Sequence, residues 1–245
     1  MAAMTFRGKV DTLEVIREKQ PNLARLKNSG LDIVRSMQIQ SWSGYYAMLN
    51  GLVFPALVKE FWKYARISDD GNSVMSEVYR LPIVISISSI EKVINCVCSG
   101  VTIDDFQTDP SMVERCRILF DDSTPFEPNN PEKLLPSART WFRFSLTNLR
   151  PRATARSTLS QDDRIFVFLL THHFNINLPK TIFNHLKHSI EVSRNQIQSY
   201  IPYGRIISEI MFKEGFWGLL SRVGPAHSVI EERCARVDSV EEFDD

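Results

Sequence analysis

The sequence predicts a mainly α-helical globular fold with one small β-hairpin, arranged in two lobes. Over most of the 245 residues, apolar side chains recur every three or four positions, as they do on the buried face of a helix. Residues 73–86 alternate instead, and "DDSTPFEPNNPEK" at residues 121–133 gathers residues that interrupt helices. Hydrophobic residues at 43% and charged residues at 24% are typical of a chain that folds around its own core.

Residues 1–40 are predicted to form an N-terminal helical segment. Leucine, isoleucine and valine recur through residues 11–40, and Pro21 and Gly30 interrupt them. This spacing favours two short helices.

The first lobe, residues 41–120, is predicted to contain a core helix, the hairpin and a further helix. The core helix follows Pro55, a residue that suits the first helical turn. Its apolar side chains at helical spacing are Leu57, Val58, Phe61 and Trp62. In the hairpin, residues 73–86, the alternating apolar side chains are Val74, Val78, Ile83 and Ile85. Ser88 and Glu91 then predict a capping box and a helix over about residues 89–98, with Gly100 beyond its end.

The second lobe, residues 137–227, is predicted to be helical and to follow a linker at residues 121–136. One helix is expected around Trp141–Leu149, and the next is expected to begin at Ser160, which can form a capping pair with Asp163. The run "RIFVFLLTHHF" is apolar on nearly every side, which predicts that this second helix is central.

The end of the second lobe is predicted to contain two more helices. One begins at Pro179 and runs to about Gln198, and the last covers "YGRIISEIMFKEGFWGLL". Residues 228–245 hold seven acidic residues and few apolar ones, so we expect an acidic flexible tail.

Charge and hydropathy limit the classes of partner and compartment. Lysine plus arginine and aspartate plus glutamate both number 29, so the net charge gives no general attraction for nucleic acid or membrane. The longest apolar runs are far shorter than the roughly 20 residues of a spanning helix, so no membrane partner is expected. Four cysteines and the absence of a cationic leader predict an intracellular protein, without distinguishing nucleus from cytoplasm.

Four of the five histidines, His172, His173, His185 and His188, lie close together in the sequence. After Pro179 the apolar side chains of the predicted helix share one face, and His185 and His188 fall outside it, so both are expected to face solvent. A structural zinc site needs four ligands and a catalytic one three, and the sequence has no "HExxH" and no paired "CxxC". We therefore predict no metal site, and surface or hydrogen-bonded histidines instead.

Other candidates for chemistry have structural explanations. Cys96 and Cys98 are predicted to be buried small apolar side chains. The five Asp-Asp pairs lie beside helix starts, turns or the tail, where aspartate caps backbone amides, so magnesium binding is the weaker interpretation. Because the chain has no "GxSxG", Walker loop or dinucleotide-binding glycine turn, we predict no catalytic residue and no cofactor.

One basic segment is the candidate for binding nucleic acid. Between Lys133 and Gln161 there are six cations and no acid, with aromatic side chains interleaved. The predicted contacts are Arg139, Arg143, Arg150, Arg152 and Arg156. Arginine pairs with phosphate and aromatic rings stack on bases, but the same arginines can cover apolar surface or pair with acids of this chain. Both interpretations stay open at this point.

Two stretches carry a resemblance to a known family. They are "FPALVKEFWKYARISDDGNSVMSEVYRLPIVISISSIEKVINCVCSG" and the part of the chain that contains "NLPKTIFNHL" and "IPYGRIISEI". The residues that carry it are Leu57, Glu60, Phe61, Trp62, Val78, Ile83, Ile85, Ser86, Ile90, Asn177, Leu178, Pro179, Ile201, Pro202, Tyr203 and Gly204. Over about residues 40–220 the chain resembles the plant transposon protein domain family of long-terminal-repeat retroelements, which is abundant in legumes. Arg80 stands where that family's hairpin has glycine.

The resemblance implies retroelement ancestry but no particular chemistry. The chain has no "YxDD" turn of a reverse transcriptase, no Asp-Thr/Ser-Gly of an aspartic protease and no zinc knuckle. We therefore expect a non-enzymatic structural or protein-interaction protein, which self-associates or binds a protein partner. The alternative is a nucleic-acid-binding accessory protein that uses the basic aromatic segment 133–161. The predicted core residues are Phe61, Trp62, Phe166, Phe168, Leu169, Phe183 and Trp217.

Overall fold

A computed structural model describes residues 10–21, 33–121, 123, 125–153, 157–195 and 200–216. Within these ranges the chain is mainly helical with a small antiparallel sheet, which confirms the predicted fold class. The described α-helices are α1 (Ile33–Ile39), α2 (Ser43–Met48), α3 (Pro55–Tyr64), α4 (Ile87–Ile94), α5 (Ser111–Arg115), α6 (Pro136–Phe144), α7 (Gln161–Thr171), α8 (Leu178–Asn195) and α9 (Gly204–Lys213). None of them combines the length and the apolar character that a bilayer crossing requires.

The strands form two small sheets. They are β1 (Glu14–Val15), β2 (Arg66–Ile67), β3 (Ser73–Val78), β4 (Leu81–Ser86) and β5 (Tyr200–Ile201). β3 and β4 pair antiparallel with Val74 opposite Ile85, so the predicted hairpin is confirmed. β2 adds a third strand beside β3, and β1 pairs parallel with β5. Neither of these two pairings is predicted from the local sequence pattern.

The chain around Leu13 is a turn and a strand, so the prediction of a helix there is wrong. The amide of Ile16 donates to Ile201 O at 2.9 Å, and the β1–β5 pairing continues into this bond. The apolar residues of this segment therefore pack against a part of the chain that is distant in sequence. This tertiary contact outweighs the local preference for a helix. Of the two helices expected in residues 11–40, α1 is present, while residues 22–32 lie outside the described part.

The cap of α4 is Ser86, two residues earlier than predicted. Ser86 Oγ accepts from the Ser89 amide at 3.2 Å, and Ser89 Oγ accepts from the Ser86 amide at 3.3 Å. The helix ends before Asn95, whose φ of 49° is left-handed, so it is shorter than the predicted helix over about residues 89–98. The Ser88 and Glu91 box is thus wrong, because the last residue of β4 already caps the helix. Glu91 instead accepts the Cys98 amide at 3.0 Å.

Helices α7, α8 and α9 contribute much of the core. α4 packs against α8 and α9, and α6 packs against α7. In α7 every residue from Ile165 to Leu170 is buried, which confirms the predicted central helix. Six of the predicted core residues are buried: Phe61, Trp62, Phe166, Phe168, Leu169 and Phe183. Trp217 lies outside the described residues.

The predicted linker, residues 121–136, is described only in part and has little regular structure. Pro131–Lys133 forms a 3₁₀ turn, and the Leu135 amide donates to Leu119 O at 2.8 Å. Its division of the chain into two lobes stays a prediction. The predicted acidic tail, residues 228–245, lies outside the described part.

The hairpin turn places two non-glycine residues in a left-handed conformation. Tyr79 has a φ of 49° and Arg80 a φ of 69°, while Val78 and Leu81 close the ladder. A two-residue hairpin turn of this kind prefers Asn-Gly, and left-handed backbone costs about 1–2 kcal/mol at a residue with a Cβ. Arg80 therefore forms the turn at a cost in stability.

Arg80→Gly is expected to raise the free energy of unfolding by about 0.5–1 kcal/mol, because glycine removes this steric cost but loses more entropy on folding. Urea unfolding measures the change. Arg80→Ala is the matched control, since it removes the same exposed side chain and keeps the Cβ. An equal gain in both variants would show that the side chain, not the backbone, is responsible.

Candidate functional site

A polar cavity of about 260 Å³ lies beside α8. It is bounded by the 3₁₀ turn Ile103–Asp105, by the chain after α6 and by the first turn of α7. The charged and polar side chains that line it include Asp104, Gln107, Arg150, Asp162, Thr181, Asn184, His185 and His188. His185 and His188 are two of the four clustered histidines for which no metal site is predicted, and Arg150 is a predicted nucleic-acid contact. The fold brings all three to one cavity.

Helix α8 presents two rows of side chains to this cavity. Thr181 and His185 are four residues apart and form an inner row, while Asn184 and His188 form an outer row with the same spacing. The apolar face of the helix sets its rotation, and each of its members is at most 2% exposed: Ile182, Phe183, Leu186 and Ile190. This buried face is the one that the sequence predicts.

His185 is partly buried, so the prediction that it faces solvent is wrong. Its ring meets the Tyr203 ring edge-on, with centroids 5.5 Å apart. Burial, and then the charge of Arg150, hold the pKa of His185 well below its usual value, so the imidazole is neutral at physiological pH. Tyr203 comes from the β5–α9 junction, which helical periodicity cannot place against α8. His188 is exposed, as predicted.

Arg150 lies directly after a π-helical turn, which places it at the cavity. α6 continues as Ser145–Leu149, and the Arg150 amide donates to Ser145 O at 2.8 Å. The guanidinium is loosely held, with Nη2 3.5 Å from Asp162 Oδ2 and Nη1 3.7 Å from Asp163 Oδ1. The second distance is too long for a hydrogen bond. Nη1 therefore has no hydrogen-bond partner among the described residues.

Asp104 and Asp162 line the cavity, whereas the aspartate that follows each of them caps a helix. Asp105 accepts the Thr102 amide at 2.7 Å and Asp163 accepts the Ser160 amide at 2.9 Å, which confirms the capping interpretation for these two. Asp104 instead accepts from Asn184 Nδ2 at 2.7 Å. Asp162 accepts from Gln107 Nε2 at 3.4 Å. In both pairs, one aspartate caps a helix and the other belongs to the cavity.

Thr181 is the most buried polar side chain in the inner row. The residue is 5% exposed, and neither its Oγ1 nor His185 Nδ1 has a hydrogen-bond partner within the described chain. Leaving a buried polar atom unpaired costs about 1–3 kcal/mol. Together with Arg150 Nη1, three buried polar atoms on residues that line the cavity are thus left without a hydrogen bond from the described chain.

Most other arginines of the basic segment make contacts within the chain. Arg139 pairs with Glu132 at 3.3 Å, and Arg152 pairs with Asp163 at 2.9 Å. Arg143 is half-buried on α6, and Arg156 lies outside the described residues. The aromatic side chains of this segment are buried: Trp141, Phe142 and Phe144. A role of these arginines in binding nucleic acid stays a prediction.

The remaining candidate residues lie outside the cavity lining. Cys96 is buried as predicted, whereas Cys98 is exposed, because α4 has already ended before it. His172 stacks on Phe168 with ring centroids 4.2 Å apart, and His173 is exposed. Among the described residues, no group of three His, Cys, Asp or Glu side chains could hold a metal ion.

Thr181→Val is expected not to lower the free energy of unfolding, and to raise it by up to about 1 kcal/mol, because it removes a buried hydroxyl that has no partner. Thr171→Val is the matched control. Its hydroxyl donates to Val167 O at 2.9 Å, so its loss should cost about 0.5–1.5 kcal/mol. Urea unfolding of both variants measures the difference. An equal loss would show that Thr181 has a structural partner after all.

The chemistry of this cavity is the guide to function. It combines one guanidinium, two carboxylates, two imidazoles, two threonine hydroxyls and two side-chain amides. No protein-family model, curated protein or solved structure matches the chain. The resemblance to the plant retroelement family therefore stays a prediction from its sequence motifs.

Proposed function

We propose that the protein is a non-enzymatic binding protein that recognises a small polar molecule in the cavity beside α8. The observation that carries this proposal is a cavity lined by charged and polar side chains, three of which, Arg150, Thr181 and His185, also hold a buried polar atom without a hydrogen-bond partner in the described chain. A polar molecule bound in the cavity would meet the charged and polar side chains of its lining. Buried polar groups in folded proteins are nearly always paired with protein, water or ligand.

Recognition is better supported than catalysis. Covalent catalysis by a serine, cysteine or threonine needs that nucleophile to be hydrogen-bonded to a base. Thr181 Oγ1 and His185 Nδ1 are not hydrogen-bonded to each other, and the residues that line the cavity include no serine, cysteine or lysine. Asp104 and Asp162 already accept amide hydrogen bonds from Asn184 and Gln107. These features favour a pocket that holds its ligand unchanged.

We also propose that the protein binds a macromolecule, either a second copy of itself or another protein. Retroelement ancestry, self-association or a protein partner, and an intracellular location rest on sequence alone. Nucleic-acid binding is less supported, because the described Arg139 and Arg152 are in ion pairs with Glu132 and Asp163. Light scattering tests self-association, and a salt titration with mixed DNA and RNA tests nucleic-acid binding, whose affinity falls steeply with salt.

The binding function is tested by a thermal-shift screen of small polar metabolites, with DNA and RNA oligonucleotides as separate samples. A ligand at 100 times its Kd stabilises the folded state by about 2.7 kcal/mol. We expect at least one metabolite to raise the Tm of the wild type, and a much smaller shift for Thr181→Val. The proposal fails if no metabolite shifts the Tm, or if the variant responds as strongly as the wild type.

A further inference from the structure

A second and larger cavity, of about 570 Å³, lies between the end of α3 and the β3–β4 hairpin. β2 pairs with β3 at two positions, Arg66 opposite Met75 and Ile67 opposite Val74. Before Arg66 the chain belongs to the end of α3, so β2 does not extend along the part of β3 that leads to the hairpin turn. Residues 63–66 line the cavity on one side of this gap, and residues 75–77 line it on the other.

Basic side chains dominate the charge of this cavity. Its described lining includes four cations and one acid: Lys63, Arg66, Arg80, Arg194 and Glu77. Arg66 and Arg80 are exposed, and neither side chain makes a hydrogen bond or an ion pair within the described chain. Both guanidinium groups are therefore accessible to a ligand and have no competing partner there.

The other two cations are held by the protein. Lys63 Nζ lies 2.9 Å from Asp11 Oδ1 and 3.2 Å from Glu60 Oε2, so its charge is already balanced. Arg194, in the last turn of α8, donates to the carbonyl oxygen of Ala65. This bond keeps its guanidinium beside the end of α3, where it adds to the positive charge of the cavity.

The cavity also offers a less polar surface. Tyr64, Met75 and Pro82 belong to its lining, and the first two are half-buried, so part of each side chain stays accessible. Met75 is opposite Arg66 in the β2–β3 ladder, and opposite residues of a ladder lie on the same face of the sheet. Aromatic rings and thioethers both pack well against a flat ring. A surface for a ring therefore lies next to a cationic one.

The two accessible arginines indicate a phosphate group. Arginine forms two parallel, charge-assisted hydrogen bonds to the oxygens of phosphate or carboxylate. A phosphate monoester carries about −1.5 to −2 charges at neutral pH, so it matches two guanidinium groups better than a single carboxylate does. A cation would be repelled by this lining.

The volume limits the size of the ligand. About 570 Å³ is within the range of about 300–1,000 Å³ that is typical of small-molecule and cofactor sites. Inorganic phosphate alone would leave most of this volume empty and would not reach the ring surface. The successive phosphates of a nucleic-acid strand would each need a cation, whereas Lys63 is already paired with acids. A single phosphate attached to a ring fits both the volume and the charge.

We infer that this cavity binds an organic phosphate of mononucleotide size, with its phosphate at Arg66 and Arg80 and its ring on the less polar part of the lining. Arg194 contributes a third positive charge at the phosphate end. Among the described residues, the cavity shares none with the lining of the cavity beside α8. The inference therefore goes beyond the function proposed for that cavity and does not depend on it.

The inference is tested by calorimetric titration of the full chain with ribonucleoside monophosphates and sugar phosphates, one compound at a time. Each compound that binds is compared with its dephosphorylated counterpart and with inorganic phosphate. We expect at least one organic phosphate to bind, and both of its comparison compounds to bind more weakly by about tenfold or more.

Two substitutions locate the phosphate. Arg66→Ala and Arg80→Ala should each weaken the organic phosphate by about fivefold or more, because each removes a charge-assisted contact. Arg115→Ala is the matched control, since Arg115 is an exposed arginine of α5 outside this lining, and it should leave the affinity unchanged. Neither Arg66 nor Arg80 has a side-chain partner in the described chain, so we expect both variants to fold, and thermal unfolding checks this.

Each other outcome overturns the inference. It fails if no organic phosphate binds, if the dephosphorylated compound binds as tightly, or if both arginine variants bind as the wild type does. Inorganic phosphate that binds as tightly as the ester would show that the ring makes no contact. A single-stranded oligonucleotide that binds more tightly than any mononucleotide, with the same dependence on Arg66 and Arg80, would assign the cavity to nucleic acid instead.

Discussion

Replacing Glu18 with alanine is expected to lower the free energy of unfolding by about 2–5 kcal/mol, because it leaves two buried backbone amides without their acceptor. Glu18 is 0% exposed, and its carboxylate accepts the amides of Arg205 at 2.8 Å and Ile206 at 3.2 Å, in the first turn of α9. The Arg205 side chain is also buried and donates to the Glu18 carbonyl oxygen. The alanine variant leaves the two amides without their acceptor, whereas the guanidinium keeps the backbone oxygen of residue 18.

Chemical denaturation in urea measures this loss. Glu14→Ala is the matched control, because Glu14 is exposed on the neighbouring β1, and its removal should change stability by less than about 0.5 kcal/mol. Similar losses in both variants would show that Glu18 does not hold the N-terminal segment to α9.

The same residue gives a pH dependence of known sign. Burial raises the pKa of Glu18 from 4.5 to about 7, more than its amide donors and Arg205 lower it. The folded protein therefore binds this proton more tightly than the unfolded chain does, and the group's contribution to stability is full below pH 4.5 and is lost as pH rises through about 7. Glu18→Gln does not titrate, so the stability of the wild type relative to this variant should fall across that window. A constant difference would contradict the shifted pKa.

Replacing Asp163 with alanine is also expected to lower the free energy of unfolding strongly, by about 3–5 kcal/mol. Asp163 is 5% exposed, and its Oδ2 accepts from the Ser160 amide at 2.9 Å, from Ser160 Oγ at 2.6 Å and from Arg152 Nη2 at 2.9 Å. One carboxylate therefore closes the capping box of α7 and neutralises Arg152. Its Oδ1 also lies 3.7 Å from Arg150 Nη1, so it places a second negative charge beside that guanidinium.

Asp162→Ala provides the matched control for Asp163. The Asp162 side chain is 39% exposed, and its contact with Arg150 is 3.5 Å long. Exposed pairs of this kind contribute less than about 1 kcal/mol. Equal destabilisation by the two variants in urea would show that charge near the start of α7, rather than this buried network, is responsible.

The sequence predicts well those parts of the fold that depend on residues close together in the chain. Ser160 and Asp163 are three residues apart, so their reciprocal bonds can be read directly from the sequence. The buried face of α8 and the β3–β4 alternation also depend only on spacing. The cap of α4 was misplaced because Ser86 and Ser89 form a reciprocal pair that contains no acid or amide at its third position.

The candidate site could not be predicted, because its parts meet only through long-range packing. Helical periodicity predicts that His185 faces solvent, because it cannot show that Tyr203 packs against it. Asp104 lies 80 positions from Asn184, and the two are joined by one hydrogen bond. A usable signal did exist in the Asp-Asp pairs, since a cap needs one carboxylate and leaves its neighbour available for another role.

The central claim is that a small polar molecule occupies the cavity beside α8. Its most direct test is a two-dimensional ¹H–¹⁵N NMR titration of the full chain with a mixture of polar metabolites that includes the free amino acids. We expect the largest shifts at the Thr181 amide, the Asn184 side-chain amide and the Arg150 guanidinium, and none of these in Thr181→Val. A spectrum that does not change, or shifts confined to residues remote from these three, would contradict the claim.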